Sequence, residues 1–438
     1  MARTSIPALF LILAYLVIGA LFAIYTPAWQ APDEPAHYNY VAQVAHNGCC
    51  PVIEVGDWNS PYLEQLKASR FAPDLLTNFA SIQYEDHQPP LYYLLQAPLF
   101  LLTGGSLIAL RLLSVLFGAG IVICTYALGR ALLPERPQVA LAGAALVAFL
   151  PQHVAILASV NNDALGNLII AFTLLLTIYY LQGRNIREWQ LGVLVGIGLL
   201  TKVSTIFLVG IVTLAIMWKW RQLLFKRHWL TALLTFALPV LLLGGIWWLH
   251  SINVYGFPDV FGLRQHDRVV TDQARTADLI AQIGFPAYLS RAVDTTYNSF
   301  WGQFGWMGVP MPGWIYQIIF VLLLVCVSGL IVAARLKSAP TKTNNNQPIW
   351  WLLALTVVIA VLQYIYYNTV FLQLQGRYMF TGLVPFALFM ALGVEGWRGW
   401  LAGRITLLHP WLTALPFALF ALLDVYLLFR VIVPALSL

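Results

Sequence analysis

The sequence predicts an all-α polytopic membrane protein built as one transmembrane domain. Three observations carry this. Eleven apolar segments recur along the 438 residues. The composition is 60% hydrophobic and only 10% charged, with 16 Trp, 20 Tyr and 24 Phe, which a water-soluble domain does not tolerate. The basic residues gather in the short connections on one side, as the positive-inside rule requires of a bilayer protein. That last pattern also excludes nucleic acid as the reason for the formal charge of +6.

The first run, Ile6–Ile24, is longer than the core of a secretion signal and lacks a small-x-small cleavage site, so it reads as an anchor. With it, eleven spans are expected, at roughly 5–24, 107–129, 138–157, 164–182, 189–201, 203–218, 229–249, 314–334, 348–367, 379–396 and 407–430. The stretch 189–218 is either one long span or a short in-and-out pair broken at Thr201-Lys202. Charge favours the pair. It places fourteen of the 24 Lys and Arg inside, from Arg3 through Arg404. One long span would put WKWRQLLFKRH outside, against the rule.

Fourteen of the 18 Asp and Glu then fall outside. Either the outer face carries the chemistry, or long outer loops simply hold most of the polar residues. Two such loops are expected, 25–106 and 250–313. The first ends in YEDHQPPLYYLLQAPLFLLTGG. Its apolar part, Leu91–Thr103, is too short to span and reads as interfacial or re-entrant. The second contains NSFWGQFGWMGVP. The inner stretch SAPTKTNNNQ, Ser338–Gln347, reads as a flexible linker. Of the four cysteines, Cys124 and Cys326 lie in apolar runs. Cys49 and Cys50 are adjacent, a spacing that disfavours a bond between them, so no disulfide framework is expected.

Candidate chemistry begins at PDEPAHYNY, residues 32–40, where the first span returns to water. A helix starting at Asp33 puts Asp33, His37 and Tyr40 on one face. Carboxylates at a bilayer edge are costly unless paired, hydrated or used. Asp33 is therefore either an N-cap on a solvated loop or a working group. A second acidic cluster, Glu85-Asp86-His87, runs into Pro89-Pro90, which fixes the exit direction of the chain. Carboxylate with imidazole suits Mg, Mn or Zn, so Asp86 and His87 are the candidate ligands for a divalent cation, without an HExxH or CxxC pattern to support them. Asp163 sits at the outer mouth of the fourth span, as N-cap or site residue. Arg377, at the outer start of the tenth, either snorkels or clamps a phosphate. Lys202 and Arg111 are further outer cations at membrane depth. Asp424 in the last span is a polar helix contact or unexplained. Trp301 and Trp306 either stack on a sugar or anchor the interface.

These motifs resemble the GT-C glycosyltransferases, integral membrane enzymes that use polyprenyl-phosphate-linked sugars. Asp33-Glu34 matches the acidic dipeptide that opens the first loop in protein O-mannosyltransferases and in lipid A aminoarabinose transferases. Asp86 stands three before Pro89, as in the first group, and His87 stands where the second places Glu. Gln88 departs from the His or Lys of either. Asp163 and Arg377-Tyr378 resemble the acidic residue and the Arg-Tyr pair of the aminoarabinose enzymes. The likeness is nearest to bacterial GT-C-like proteins carrying PDEPAH-, HQPPLYY-, FGWM- and QGRY-type motifs, and it runs from Met1 to about Leu392.

The resemblance implies a GT-C fold in a bacterial inner membrane with its site on the extracytoplasmic side. It implies transfer from a polyprenyl-phosphate sugar to a hydroxyl on a lipid, glycan or protein, with inversion. Asp33 and Glu34 are then the catalytic pair, and Arg377, Tyr378, Lys202, Asp163, Trp301 and Trp306 the substrate-binding set. The competing class is a transporter or flippase without chemistry. It explains the spans and the broken helix at Thr201-Lys202, but not the acid-rich first loop or the lack of an internal repeat.

Overall fold

A computed structural model of the chain describes residues 2–223, 227–335, 347–402, 405 and 409–438. Lys226, Lys337, Lys342 and Arg404 of the expected inner set, and residues 338–346 of the linker, lie outside these.

Among the described residues, each expected apolar segment falls mainly on helix; residues 407 and 408 of the last lie outside them. Helix α1 (Ala2–Tyr25) leads into a first loop holding α2 (Glu34–Asn47), α3 (Ser60–Ala68), a 3-10 turn (Pro73–Ser81) and α4 (Leu91–Thr103). Then come α5 (Leu107–Leu132), α6 (Pro137–Phe149), α7 (Pro151–Leu157), α8 (Asp163–Leu181), α9 (Glu188–Leu199), α10 (Phe207–Lys219) and α11 (Arg227–Tyr255). The second loop is itself helical: α12 (Leu263–Val269), α13 (Thr276–Ile283) and α14 (Phe285–Trp301), closed by the antiparallel pair β1 (Gln303–Phe304) and β2 (Val309–Pro310). The chain continues with α15 (Gly313–Arg335), α16 (Gln347–Asn368), a 3-10 turn (Gly376–Gly382), α17 (Leu383–Ala402) and a last helical run, Leu415–Leu436.

Among the described residues, eight helices are long and apolar enough to cross a membrane, or nine if α6 and α7 form one bent span. Their 61° bend has a local cause. Pro151 has no N–H to offer the Val147 carbonyl four residues back. His153 Nδ1 donates to that carbonyl instead, at 2.8 Å. The stretch 189–218 is two short helices that return on themselves. Trp220, just past α10, donates its indole N–H to Glu188 at the start of α9 (3.2 Å). At the other end the Leu200 carbonyl accepts from Leu91 N–H (2.9 Å).

Close helix approach follows the membrane rule of small residues at interfaces. A Cβ on Gly329 of α15 would sit 1.9 Å from the Gly393 carbonyl of α17, so only glycine allows that contact. Helix α4 keeps Leu101 and Leu102 exposed while burying Tyr92, Tyr93 and Gln96, as expected of an interfacial element. One expectation fails: Cys49 and Cys50 are joined by a disulfide in the turn after α2. Adjacency disfavours such a bond without forbidding it.

Candidate active site

Asp33 precedes α2 but does not cap it. Its backbone is left-handed (φ 67°) and its side chain makes no hydrogen bond to the helix N–H groups. The carboxylate is instead turned across the molecule. Arg377 Nη2 pairs with Oδ2, and the Tyr84 hydroxyl donates to Oδ1 at 3.0 Å. A residue other than glycine held at positive φ marks a place where surrounding contacts override local preference. Those contacts are visible one residue on.

Glu34 is fully buried and gripped by Arg111 of α5, with Nε to Oε1 at 2.7 Å and Nη2 to Oε2 at 2.6 Å. Backbone N–H groups of Val160 and Trp29 fill its remaining positions at 3.1 and 3.2 Å. Arg111 uses its other donors on the carbonyls of Ala23, Thr26 and Pro27. All five guanidinium hydrogens are thus engaged. Glu34 has no access to a ligand and serves as a buried tie, so of the expected catalytic pair only Asp33 opens onto a cavity.

Asp33 opens onto a cavity of about 290 Å³ roofed by the two long loops. Tyr84, Glu85, His266, Trp306, Gln375 and Tyr378 are among its walls. Arg377 does not snorkel. It lies buried beneath, its Nε donating to Gln375 Oε1 (2.7 Å) and its guanidinium over the Tyr378 ring at 5.3 Å. Its Nη1 has no partner among the described residues. Asp163 likewise gives up capping: its Oδ1 accepts from Lys202 Nζ at 2.6 Å, joining the mouth of α8 to the break between α9 and α10.

The electrostatics separate two neighbouring carboxyls. Burial works against the charge on Asp33, but Arg377, His37 and the Tyr84 hydroxyl together hold its pKa below the ordinary value. Glu85 is pushed up to about 8, by burial and then by the negative charge of Asp33. One carboxyl is therefore ionised and the other is a neutral acid at pH 7. Burial takes His37 down to about 3, leaving a neutral imidazole whose Nδ1 meets the Tyr93 hydroxyl at 2.8 Å.

Other expected residues part company. Trp306 lines the cavity, its indole N–H tied to the Trp29 carbonyl (3.0 Å). Trp301 does not. It is packed in the apolar core against Phe300 and Phe420, so it is neither a sugar platform nor an interfacial anchor. It borders a second cavity of about 240 Å³, almost wholly apolar, between α14, α15, α16 and α17. Asp86 and His87 do not converge. Asp86 Oδ2 accepts from Gln43 (2.7 Å), while His87 Nδ1 donates to the Tyr84 carbonyl (3.2 Å) and its ring stacks obliquely on His266. Among the described residues no three His, Cys, Asp or Glu side chains gather as metal ligands. This donor set does not fit a resident cation, and no step is routed through one.

Residues not singled out from sequence are Tyr84 and His266. Tyr84 adjoins the acidic cluster, and that adjacency was its only local signal. His266 sits on a second-loop helix with none. Gln88, the departure from related motifs, bridges the two halves of the site: its Nε2 donates to Glu85 (2.9 Å) and its Oε1 accepts from Asn162 (3.4 Å), beside Asp163.

The arrangement of spans and loop helices is one already known. The chain is similar to the crystal structure of ArnT from Cupriavidus metallidurans bound to undecaprenyl phosphate, with a TM-score of 0.56 and 14% identity, covering 98% of this chain and 73% of that one. A weaker likeness, TM-score 0.49 at 13% identity, is to the Archaeoglobus fulgidus oligosaccharyltransferase in complex with Zn and sulfate, covering 97% and 53%. Nothing is argued from it. Residues 87–247 match the family model of dolichyl-phosphate-mannose-protein mannosyltransferases. A search among curated proteins found no match. The fold of this chain is thus similar to that of ArnT. The family match spans 87–247, and the likeness of fold extends over nearly the whole chain.

Proposed function

We propose that this protein transfers a sugar from a polyprenyl-phosphate carrier to an acceptor hydroxyl, with inversion, on the extracytoplasmic side. One observation carries the reading: Arg377, whose buried Nη1 has no partner among the described residues, holds Asp33 on the wall of a polar cavity, and its chain neighbours Tyr378 and Met379 line that cavity and the apolar one. An anionic headgroup attached to a prenyl chain needs that sequence of surroundings. The planar guanidinium suits a phosphate, and the apolar cavity suits isoprene units.

In this mechanism the acceptor oxygen attacks the anomeric carbon as Asp33 takes the hydroxyl proton. The bond from the anomeric carbon to the phosphate oxygen breaks, and its electron pair leaves with the polyprenyl phosphate, stabilised by Arg377. Arriving phosphate competes with Asp33 for that guanidinium. Loosening the ion pair raises the basicity of Asp33 as the donor settles. Lys202, held by Asp163, adds positive potential nearby. Sidedness is supported by the segregation of basic residues and by the Cys49–Cys50 disulfide, which suits an oxidising compartment.

The test is transfer in proteoliposomes from a panel of undecaprenyl-phosphate sugars. Product is expected with at least one. Binding of these lipids without any cleavage of the sugar–phosphate bond would return the protein to the flippase class. Impermeant labelling of cysteine in place of Asp272, but not of Arg227, checks the orientation.

A further inference from the structure

We infer that the acceptor is a saccharide, recognised by the part of the cavity that the two outer loops contribute. This rests on the transferase reading above and names its second substrate. The loop-borne wall is built from Trp58 and α3 on one side and from α12 and Gln273 on the other. Two of its buried polar atoms have no partner among the described residues: the Trp58 indole N–H, a donor, and Gln273 Oε1, an acceptor. The amide of Gln273 already hydrogen-bonds the Tyr367 hydroxyl, so its carbonyl is the end left over. A buried donor and a buried acceptor without partners each carry a cost that a ligand can relieve. Sugar hydroxyls both donate and accept, and satisfy both.

Charge narrows the choice. The one cation on this wall, Lys67, is paired with Glu64 at 2.7 Å and lies over the Trp306 ring at 4.4 Å. A phosphorylated or carboxylated acceptor would find no free countercharge there. Glu85 is a neutral acid at pH 7 and a further hydrogen-bond donor. Gln373 and Gln375 add amides, and Trp58, Tyr84 and Trp306 add aromatic surface. Neutral amides among aromatic rings fit a polyhydroxylated ring with polar edges and C–H faces. A peptide bound by strand addition needs a sheet edge to pair with. The described residues offer only the two-residue strands β1 and β2.

The test uses the full chain in nanodiscs and saturation-transfer NMR. The probes are methyl α-mannopyranoside, maltose and chitobiose, a Ser/Thr-rich octapeptide, and undecaprenyl phosphate as a separate arm. At least one saccharide is expected to receive saturation on its ring protons. Trp58→Phe, which keeps the ring and deletes the donor, and Gln273→Leu should each weaken that binding about fivefold, the affinity equivalent of one hydrogen bond. Undecaprenyl phosphate should bind both variants as it binds wild type. Binding of the lipid with no saccharide signal, preference for the peptide, or variants indistinguishable from wild type would each overturn the inference and leave the donor reading standing. Failure of the wild-type protein to bind undecaprenyl phosphate overturns the donor reading, and this inference with it.

Discussion

Asp33 and Glu34 are neighbours with the same charge, and each meets an arginine from a distant span, yet the two pairs do opposite things. Glu34–Arg111 is sealed. Its side chains are 0% and 2% exposed, and every donor and acceptor has a partner. Together they bind the end of α1, the start of α2, α5 and the turn before α8 into one unit. Asp33–Arg377 stands at the edge of a cavity, with Asp33 24% exposed and one guanidinium nitrogen unused. A buried charge whose valences are all occupied is a cross-link. One with a vacancy has capacity for a further partner. The first pair fixes the backbone at 33–34, and so aims the second.

The largest effect that would separate the pairs is on turnover. Asp33→Asn should express and fold normally, still bind the lipid-linked donor, and lose about 10²–10⁴-fold in rate, the usual cost of a missing general base. Near wild-type turnover would remove Asp33 from the chemistry. The counterpart is Arg111→Met, which strands the Glu34 carboxylate in the interior. A loss of about 3–5 kcal/mol is expected, read as thermal unfolding in one detergent. The double variant Glu34→Gln, Arg111→Met should recover part of it. If Arg111→Met melts like wild type, the tie carries no load.

Next in size is donor affinity. Arg377→Lys keeps the charge and loses the fork, and about tenfold weaker binding of undecaprenyl phosphate is expected, with Ala weaker still. Equal binding in all three would give the phosphate to another group.

The smallest effect is in pH. The Glu85 carboxyl titrates at about 8 in the folded protein against an ordinary 4.5, so the folded state holds the proton more tightly. Its contribution is fully present below pH 4.5 and is lost as pH rises through about 8. Stability and activity should fall on the alkaline side, and Glu85→Gln should flatten that limb. An unchanged profile in Glu85→Gln would assign the limb elsewhere.

The helices were legible because span length and apolarity are local properties. The acidic clusters were legible because charges stand out in so apolar a chain. What sequence could not show was which member of each cluster faces the site. Glu34 looked equivalent to Asp33 because its arginine lies 77 positions away. In 84–87 the turn aims Tyr84 and Glu85 inward and Asp86 away, a choice set by backbone direction rather than residue type. Trp301 misled for a similar reason. Its motif resembles an interfacial anchor, and only the packing of α14 against α17 and the last helical run buries it.

The hairpin of α9 and α10 has a consequence for the membrane itself. Helix α9 spans about 18 Å at 1.5 Å per residue, against a hydrocarbon layer about 30 Å thick. A stretch that short is accommodated by local thinning of the bilayer. Lys202, at the turn of this hairpin, would then lie where the bilayer is thinnest. Under the proposed transferase reading, a carrier phosphate would approach Lys202 and Asp163 sideways, with little of the climb out of the lipid that a flat, full-thickness membrane would demand.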